Sequence, residues 1–334
     1  MFTFKTFSPW VACAALAACG GSSDLPDNPV GEPLAITATN YRTVTQEVLM
    51  TSFSLVDTSE VLVYGANVST LPKPLHFARQ QLPRLPARVA GIDAVVAGTA
   101  YNETVPCESG SVTITFDDRD NNLVVSNGDV LTETFNNCVA LGETANGTLR
   151  FAFNALTGNL DSDVFTASLT LSFEAFSVES AAGSVLANGT VTLNTASKGV
   201  YDQEFRLTAP SYREELNLGG TVTSRTLTNF VTYENITPAP LNPTPPHLFS
   251  YSVTVNGTLT SSAFGGRSVV ISNITPFSGL DTQAYPPTGQ ALVTGAASSL
   301  RITAMSDSAV YLSVDSNGDG TADFWETRLW SEFL

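Results

Sequence analysis

The feature that most constrains this chain is a two-residue alternation in its later three quarters. Val112-Thr-Ile-Thr-Phe116, Ser168-Leu-Thr-Leu-Ser-Phe173 and Tyr251-Ser-Val-Thr-Val255 each alternate an apolar with a polar side chain. Side chains on a strand point alternately to opposite faces, so such runs bury one face and wet the other. Antiparallel sheets tolerate one solvated face, whereas parallel sheets are buried on both. The expected fold over residues 91–334 is therefore mainly β: a large antiparallel sheet, barrel or sandwich, with one N-terminal helix.

Four Gly-containing steps punctuate this region: Asn146-Gly147-Thr148, Asn188-Gly189-Thr190, Gly219-Gly220-Thr221 and Asn256-Gly257-Thr258. Each is expected to supply the positive-φ turn of a hairpin. Their unequal spacing argues against a strict solenoid. The helix is placed in residues 36–65, with Asn40 as its cap and Tyr41, Val44, Val48, Leu49 and Phe53 at helical spacing. Residues 69–87 carry four prolines and read as a connector with one short helical turn, which closes a 36–90 segment ahead of the β region.

Chemistry concentrates in Asp315-Ser-Asn-Gly-Asp-Gly-Thr-Ala-Asp-Phe-Trp-Glu326. An EF-hand loop takes oxygens from positions 1, 3, 5, 7, 9 and 12, with glycine at position 6. Asp315, Asn317, Asp319, the carbonyl of Thr321, Asp323 and Glu326 fill those positions, and Gly320 is at position 6. These are hard oxygen donors suited to Ca2+. The alternative is a polar Asn-Gly/Asp-Gly turn. The preceding Ala309–Val314 run reads as a strand and not as an entering helix, so a structural clip is expected in place of a calmodulin-type switch. The motif resembles the solitary EF-like loops of secreted bacterial proteins.

A degenerate second loop follows the Val112–Phe116 run. Asp118, Asp120, Asn122, the carbonyl of Val124, Ser126 and Asp129 fall in the same register. Leu123 replaces the position-6 glycine, Asp129 shortens position 12, and Arg119 adds an opposing charge. The plainer reading is a polar hairpin loop tied down by the nearby cysteines.

The N-terminus, MFTFKTFSPWVACAALAACGG, places Lys5 before an apolar stretch too short to span a bilayer, followed by small residues. That is a signal-peptide pattern. Leu16-Ala17-Ala18-Cys19 resembles the lipobox of bacterial lipoproteins. The resemblance implies cleavage after residue 18, acylation of Cys19, a 19–35 tether and lipid anchorage at the outer membrane. In that oxidising setting Cys107 and Cys138 are an even pair expected to form a disulfide. The formal net charge of −16 argues against nucleic acid and against adsorption to anionic lipid by charge alone.

The Cys107–Cys138 stretch, together with the finish from Pro286 through the calcium loop to the Trp-rich tail, is similar to segments of a family of proteobacterial outer-membrane lipoproteins. The resemblance implies a class and no activity. No catalytic constellation stands out: the two histidines, His76 and His247, lie in Pro-rich connectors, and neither a Gly-x-Ser-x-Gly elbow nor a phosphate-cradling loop occurs. The expectation is a non-catalytic, calcium-stabilised envelope protein with an envelope protein or glycan as partner. The alternatives are a glycan- or ligand-binding module using Trp325 and Trp330, and a carboxylate-based hydrolase.

Overall fold

The computed structural model describes residues 31–56, 73–86, 101–140, 142–199, 201–238 and 249–334. Cys19, His247, residues 57–65 of the expected helix and the 90/91 boundary lie outside the described residues.

The alternating region forms one antiparallel sheet of 14 strands in strict sequence order. They are β1 (Tyr101–Pro106), β2 (Ser109–Asp117), β3 (Val130–Ala140), β4 (Glu143–Gly158), β5 (Phe165–Ser180), β6 (Gly183–Gly199) and β7 (Asp202–Leu218). After these come β8 (Thr221–Pro238), β9 (Phe249–Ser261), β10 (Arg267–Leu280), β11 (Thr288–Gly295), β12 (Ser298–Ala304), β13 (Ala309–Asp315) and β14 (Phe324–Leu329). Every pairing joins consecutive strands, and β1 does not pair with β14. The mainly β expectation holds, as a single open sheet.

The Asn-Gly steps do not make the expected hairpins. Only Gly219-Gly220 occupies one, between β7 and β8, with φ of 55° and 88°. Gly147, Gly189 and Gly257 lie inside β4, β6 and β9, in a line of bulges that crosses the sheet. Each asparagine serves one neighbouring strand and each glycine another. The side-chain oxygens of Asn146, Asn188 and Asn256 accept from the backbone N–H of Asn137, Ala175 and Asn273, at 2.8, 2.8 and 2.9 Å. A Cβ on Gly147 would lie 2.1 Å from the Ala175 carbonyl oxygen, and one on Gly189 2.5 Å from that of Ser211. Asn137, Ala175 and Asn229 take up positive φ at their bulges.

The bulges do a second job. An extra residue reverses which face the following side chains occupy. On β5, Leu169, Leu171 and Phe173 are buried before the bulge at Ala175, and Phe176 and Val178 after it. Without that shift half the strand's apolar set would face water. With it the bent sheet keeps one continuous apolar face.

Two helices lie on that face. Helix α1 (Tyr41–Val56) buries Tyr41, Val44, Val48, Leu49 and Leu55. Asn40 does not cap it by side chain; its Oδ1 accepts from Thr37 N–H and its Nδ2 donates to Ala35 O, closing the preceding turn. The Pro-rich connector holds more than one turn: α2 (Pro74–Gln81) is an eight-residue helix. Pro74 stands in its first turn, where a missing N–H costs nothing, and the next proline, Pro83, comes after its end. Leu75 and Ala78 are buried, and Phe77 packs edge-on against Phe135 and, tilted, against Phe176.

Residues 31–36 are stitched to one end of the sheet. Leu34 N–H donates to Ser268 O, Ala296 N–H to Leu34 O, and Ile36 N–H to Ser298 Oγ, each at 2.8 Å.

Candidate functional site

The Asp315–Glu326 stretch runs from the last residue of β13 through a turn into β14. Asp315 ends its strand and is buried, and its carboxylate accepts from Gly318 N–H at 2.7 Å and from Gly320 N–H at 2.9 Å. Those bonds wrap the backbone around the side chain, and the wrap needs positive φ at Gly318 (77°) and Gly320 (86°). Asn317 Oδ1 accepts from Asp319 N–H, and Asp319 Oδ1 from Thr321 N–H. Asp323 Oδ2 accepts from the Ser316 hydroxyl and backbone N–H, and these two bonds hold its carboxyl below the usual carboxylate range. Asp315, Asn317, Asp319, Thr321 and Asp323 thus share one compact turn.

Glu326 does not join them. It sits on β14 opposite Leu312, whereas Asp315 pairs with Ser299 beyond the β13–β14 ladder. Its carboxylate is occupied by the Tyr41 hydroxyl, by Arg42 Nη2 at 3.2 Å and by Arg328 Nη2 at 2.6 Å. The Tyr41 ring packs on Phe324, 5.2 Å between centroids. Position 12 of the motif therefore fastens the start of α1 to the last strand. The reason is strand pairing: once Phe324 enters the ladder, the extended backbone carries Glu326 away from the turn.

The degenerate loop repeats the same turn. Asp118 Oδ2 accepts from Leu123 N–H at 2.8 Å, Asp120 Oδ1 from Asn122 N–H at 3.2 Å, and Asn122 Oδ1 from Val124 N–H at 2.7 Å. Asn121 and Leu123 take φ of 57° and 58°, where Gly318 and Gly320 stand in the first loop. Here position 12 stays home: Asp129 is fully buried and accepts from Arg119 N–H and from the Ser126 N–H and hydroxyl. Among the described residues, the one group of three candidate ligands whose atoms lie within 4.8 Å of one another is Asp118, Asp120 and Asp129. The loop that departs from the consensus forms the tighter cluster.

Cys107 and Cys138 are joined, with Cα atoms 5.4 Å apart. In the chain-entropy model a loop of this length is worth about 3–4 kcal/mol. The bond closes the end of the β2–β3 hairpin remote from Asp118–Asp129, so it does not tie that loop down.

The two ends of the sheet differ. Because strands run up and down in order, the β9–β10, β11–β12 and β13–β14 connections share one end, and β2–β3 lies at the other. The chain enters at residues 31–36 beside the first two of these, and a Cβ on Gly318 would lie 3.0 Å from Ala297 O in the β11–β12 turn. The Asp315 loop is thus at the same end of the sheet as residues 31–36.

One polar group in the interior has no local sequence signal. Glu47 of α1 meets Arg225 of β8 through paired bonds of 2.9 and 3.0 Å and accepts from Ser261 Oγ at 2.8 Å. Burial opposes the charge on Glu47, but the bonds from Arg225 and Ser261 prevail and hold its carboxyl below its ordinary value. Of the tryptophans considered for ligand binding, Trp330 is fully buried against Phe53, Phe277 and Tyr285, whereas Trp325 is exposed. His76 lies on α2 within reach of Gln80.

No protein-family model, curated protein or solved structure matches this chain. No helix among the described residues is long and apolar enough to cross a membrane.

Proposed function

We propose that this chain is a lipid-anchored, non-catalytic protein of the bacterial cell envelope, held at the outer membrane through Cys19 and stabilised by Ca2+ at the β13–β14 loop. The observation that carries the calcium reading is the preformed turn around Asp315. Its carboxylate is buried and already bonded to the backbone of positions 4 and 6, as the loop requires. Asp315, Asn317, Asp319, the Thr321 carbonyl and Asp323 supply hard oxygens, and water completes the shell where Glu326 is held elsewhere. The lipid anchor rests on the Leu16–Cys19 pattern, and residues 31–36 are bonded at the same end of the sheet as the Asp315 loop.

Calorimetric titration of the chain with Ca2+ tests the first part. At a hundred times its dissociation constant the ion contributes about 2.7 kcal/mol, which raises Tm by a few degrees. Asp315→Ala abolishes the gain. Glu326→Ala leaves Ca2+ affinity nearly intact, because its carboxylate serves Tyr41 and Arg42. An absence of Ca2+ binding with all these side chains in place rejects the clip. Residual binding in Asp315→Ala that disappears on adding Asp118→Ala assigns a second ion to the Asp118 loop.

Replacing Cys19 with alanine tests the anchor separately: the protein is expected to move from the membrane to the soluble fraction. Membrane partitioning that does not change would refute it.

A further inference from the structure

The open sheet leaves two edges, and they are unlike. Strand β1 carries the exposed polar row Asn102, Glu103 and Thr104 and ends in Pro106, which blunts it. Strand β14 is the reverse. Phe324, Glu326 and Arg328 turn toward the helix-bearing face, while Trp325, Thr327 and Leu329 face outward. Trp325 is 60% and Leu329 54% exposed. Among the described residues no strand pairs with the outer side of β14. An edge strand offers a row of backbone donors and acceptors. On β14 the outward N–H of Leu329 donates to Glu332 Oε1 at 3.2 Å, and that bond must open before a partner strand pairs along the whole row.

The sequence about Thr327 is self-complementary. When two copies of Phe324–Leu329 are laid antiparallel with Thr327 opposite Thr327, Trp325 falls opposite Leu329 and Glu326 opposite Arg328, each twice. Residues directly opposite in an antiparallel pair share a face. The apolar pair therefore forms on the outer face. On the inner face Glu326 and Arg328, already paired within each chain at 2.6 Å, come opposite their symmetry mates with no like charges facing. A twofold axis makes such a contact closed, with no further edge of this kind to recruit a third chain.

We propose that two copies of this chain associate through β14, joining their sheets into one continuous sheet about a twofold axis at Thr327. The net charge of −16 on each copy acts against association. At physiological salt that repulsion is screened beyond about 8 Å, which leaves the local complementarity of the strand to decide. Calcium is not required, so this proposal and the clip fail independently.

Oxidative cross-linking of the full chain in detergent tests both contact and register. Thr327→Cys places two thiols opposite each other at the Cα separation a disulfide needs, about 4.4–6.8 Å. It is expected to give a linked dimer on a non-reducing gel. Trp325→Cys and Leu329→Cys link efficiently when mixed and poorly alone. Val222→Cys, equally exposed but on β8, is the control and stays monomeric. The unaltered chain should sediment at twice its monomer mass, and Trp325→Asp with Leu329→Asp should return it to monomer with unchanged far-ultraviolet circular dichroism. A Thr327→Cys chain that does not link, cross-linking of Val222→Cys to the same extent, or an unaltered chain that stays monomeric at every concentration overturns the proposal.

Discussion

Arg225→Ala is expected to cost the fold about 3–5 kcal/mol, the usual consequence of removing one partner from a buried ion pair. Arg225 and Glu47 are both buried, and the guanidinium reaches the carboxylate through two bonds near 3 Å. Truncating Arg225 leaves the buried Glu47 carboxylate with only the Ser261 hydroxyl to satisfy it. It also strips a compensating charge from Glu214, its cross-strand neighbour, whose carboxyl burial already pushes up against help from Tyr212 and Arg225. The double variant Glu47→Leu/Arg225→Leu should recover most of the loss, because neither charge is then buried alone. Denaturant midpoints measure both. A loss below about 1 kcal/mol in the single variant would mean that water reaches the pair, since screened pairs are worth no more than that.

Gly147→Ala is the second large effect, about 2–5 kcal/mol. Two costs combine. A side chain at φ of 87° costs about 1–2 kcal/mol, and its Cβ would lie 2.1 Å from the Ala175 carbonyl oxygen, which is backbone and cannot swing aside. Relieving such overpacking typically costs about 1–3 kcal/mol more. Gly142 separates the two terms: its φ is 81°, but a Cβ there meets nothing within 4 Å. Gly142→Ala should show only the conformational cost of about 1–2 kcal/mol. Equal effects at the two sites would show that the close approach at the bend contributes nothing.

Much of the architecture is local and was legible. Alternation over five or six residues specifies a strand whatever it pairs with, so the β content followed from residues 91–334 alone. The DSNGDG step likewise specifies its own turn, because the side chain of Asp315 bonds backbone groups only three and five residues away. Cys107 and Cys138 were readable as a pair since no other cysteines fall in the β region. Asp118–Asp129 was legible for the same reason as Asp315, since polar side chains in a short loop bond their own backbone.

Other features were decided by strand neighbours. An Asn-Gly dipeptide favours positive φ, but whether this makes a hairpin or a bulge depends on the strand beside it. At Gly147 that neighbour is Ala175, and at Gly257 it is Phe230. The role of Glu326 turned on register: pairing opposite Leu312 carried it from the Asp315 turn to Tyr41 and Arg42. Arg225 and Glu47 are 178 residues apart and meet only because the bent sheet brings α1 across β8. The amino-acid sequence by itself determined the strands, the acidic turns and the cysteine pair, all of which rest on contacts within or between short segments. Only the tertiary structure decided the bend, the buried ion pair and the open edge at β14, because each depends on which distant residue the backbone places opposite.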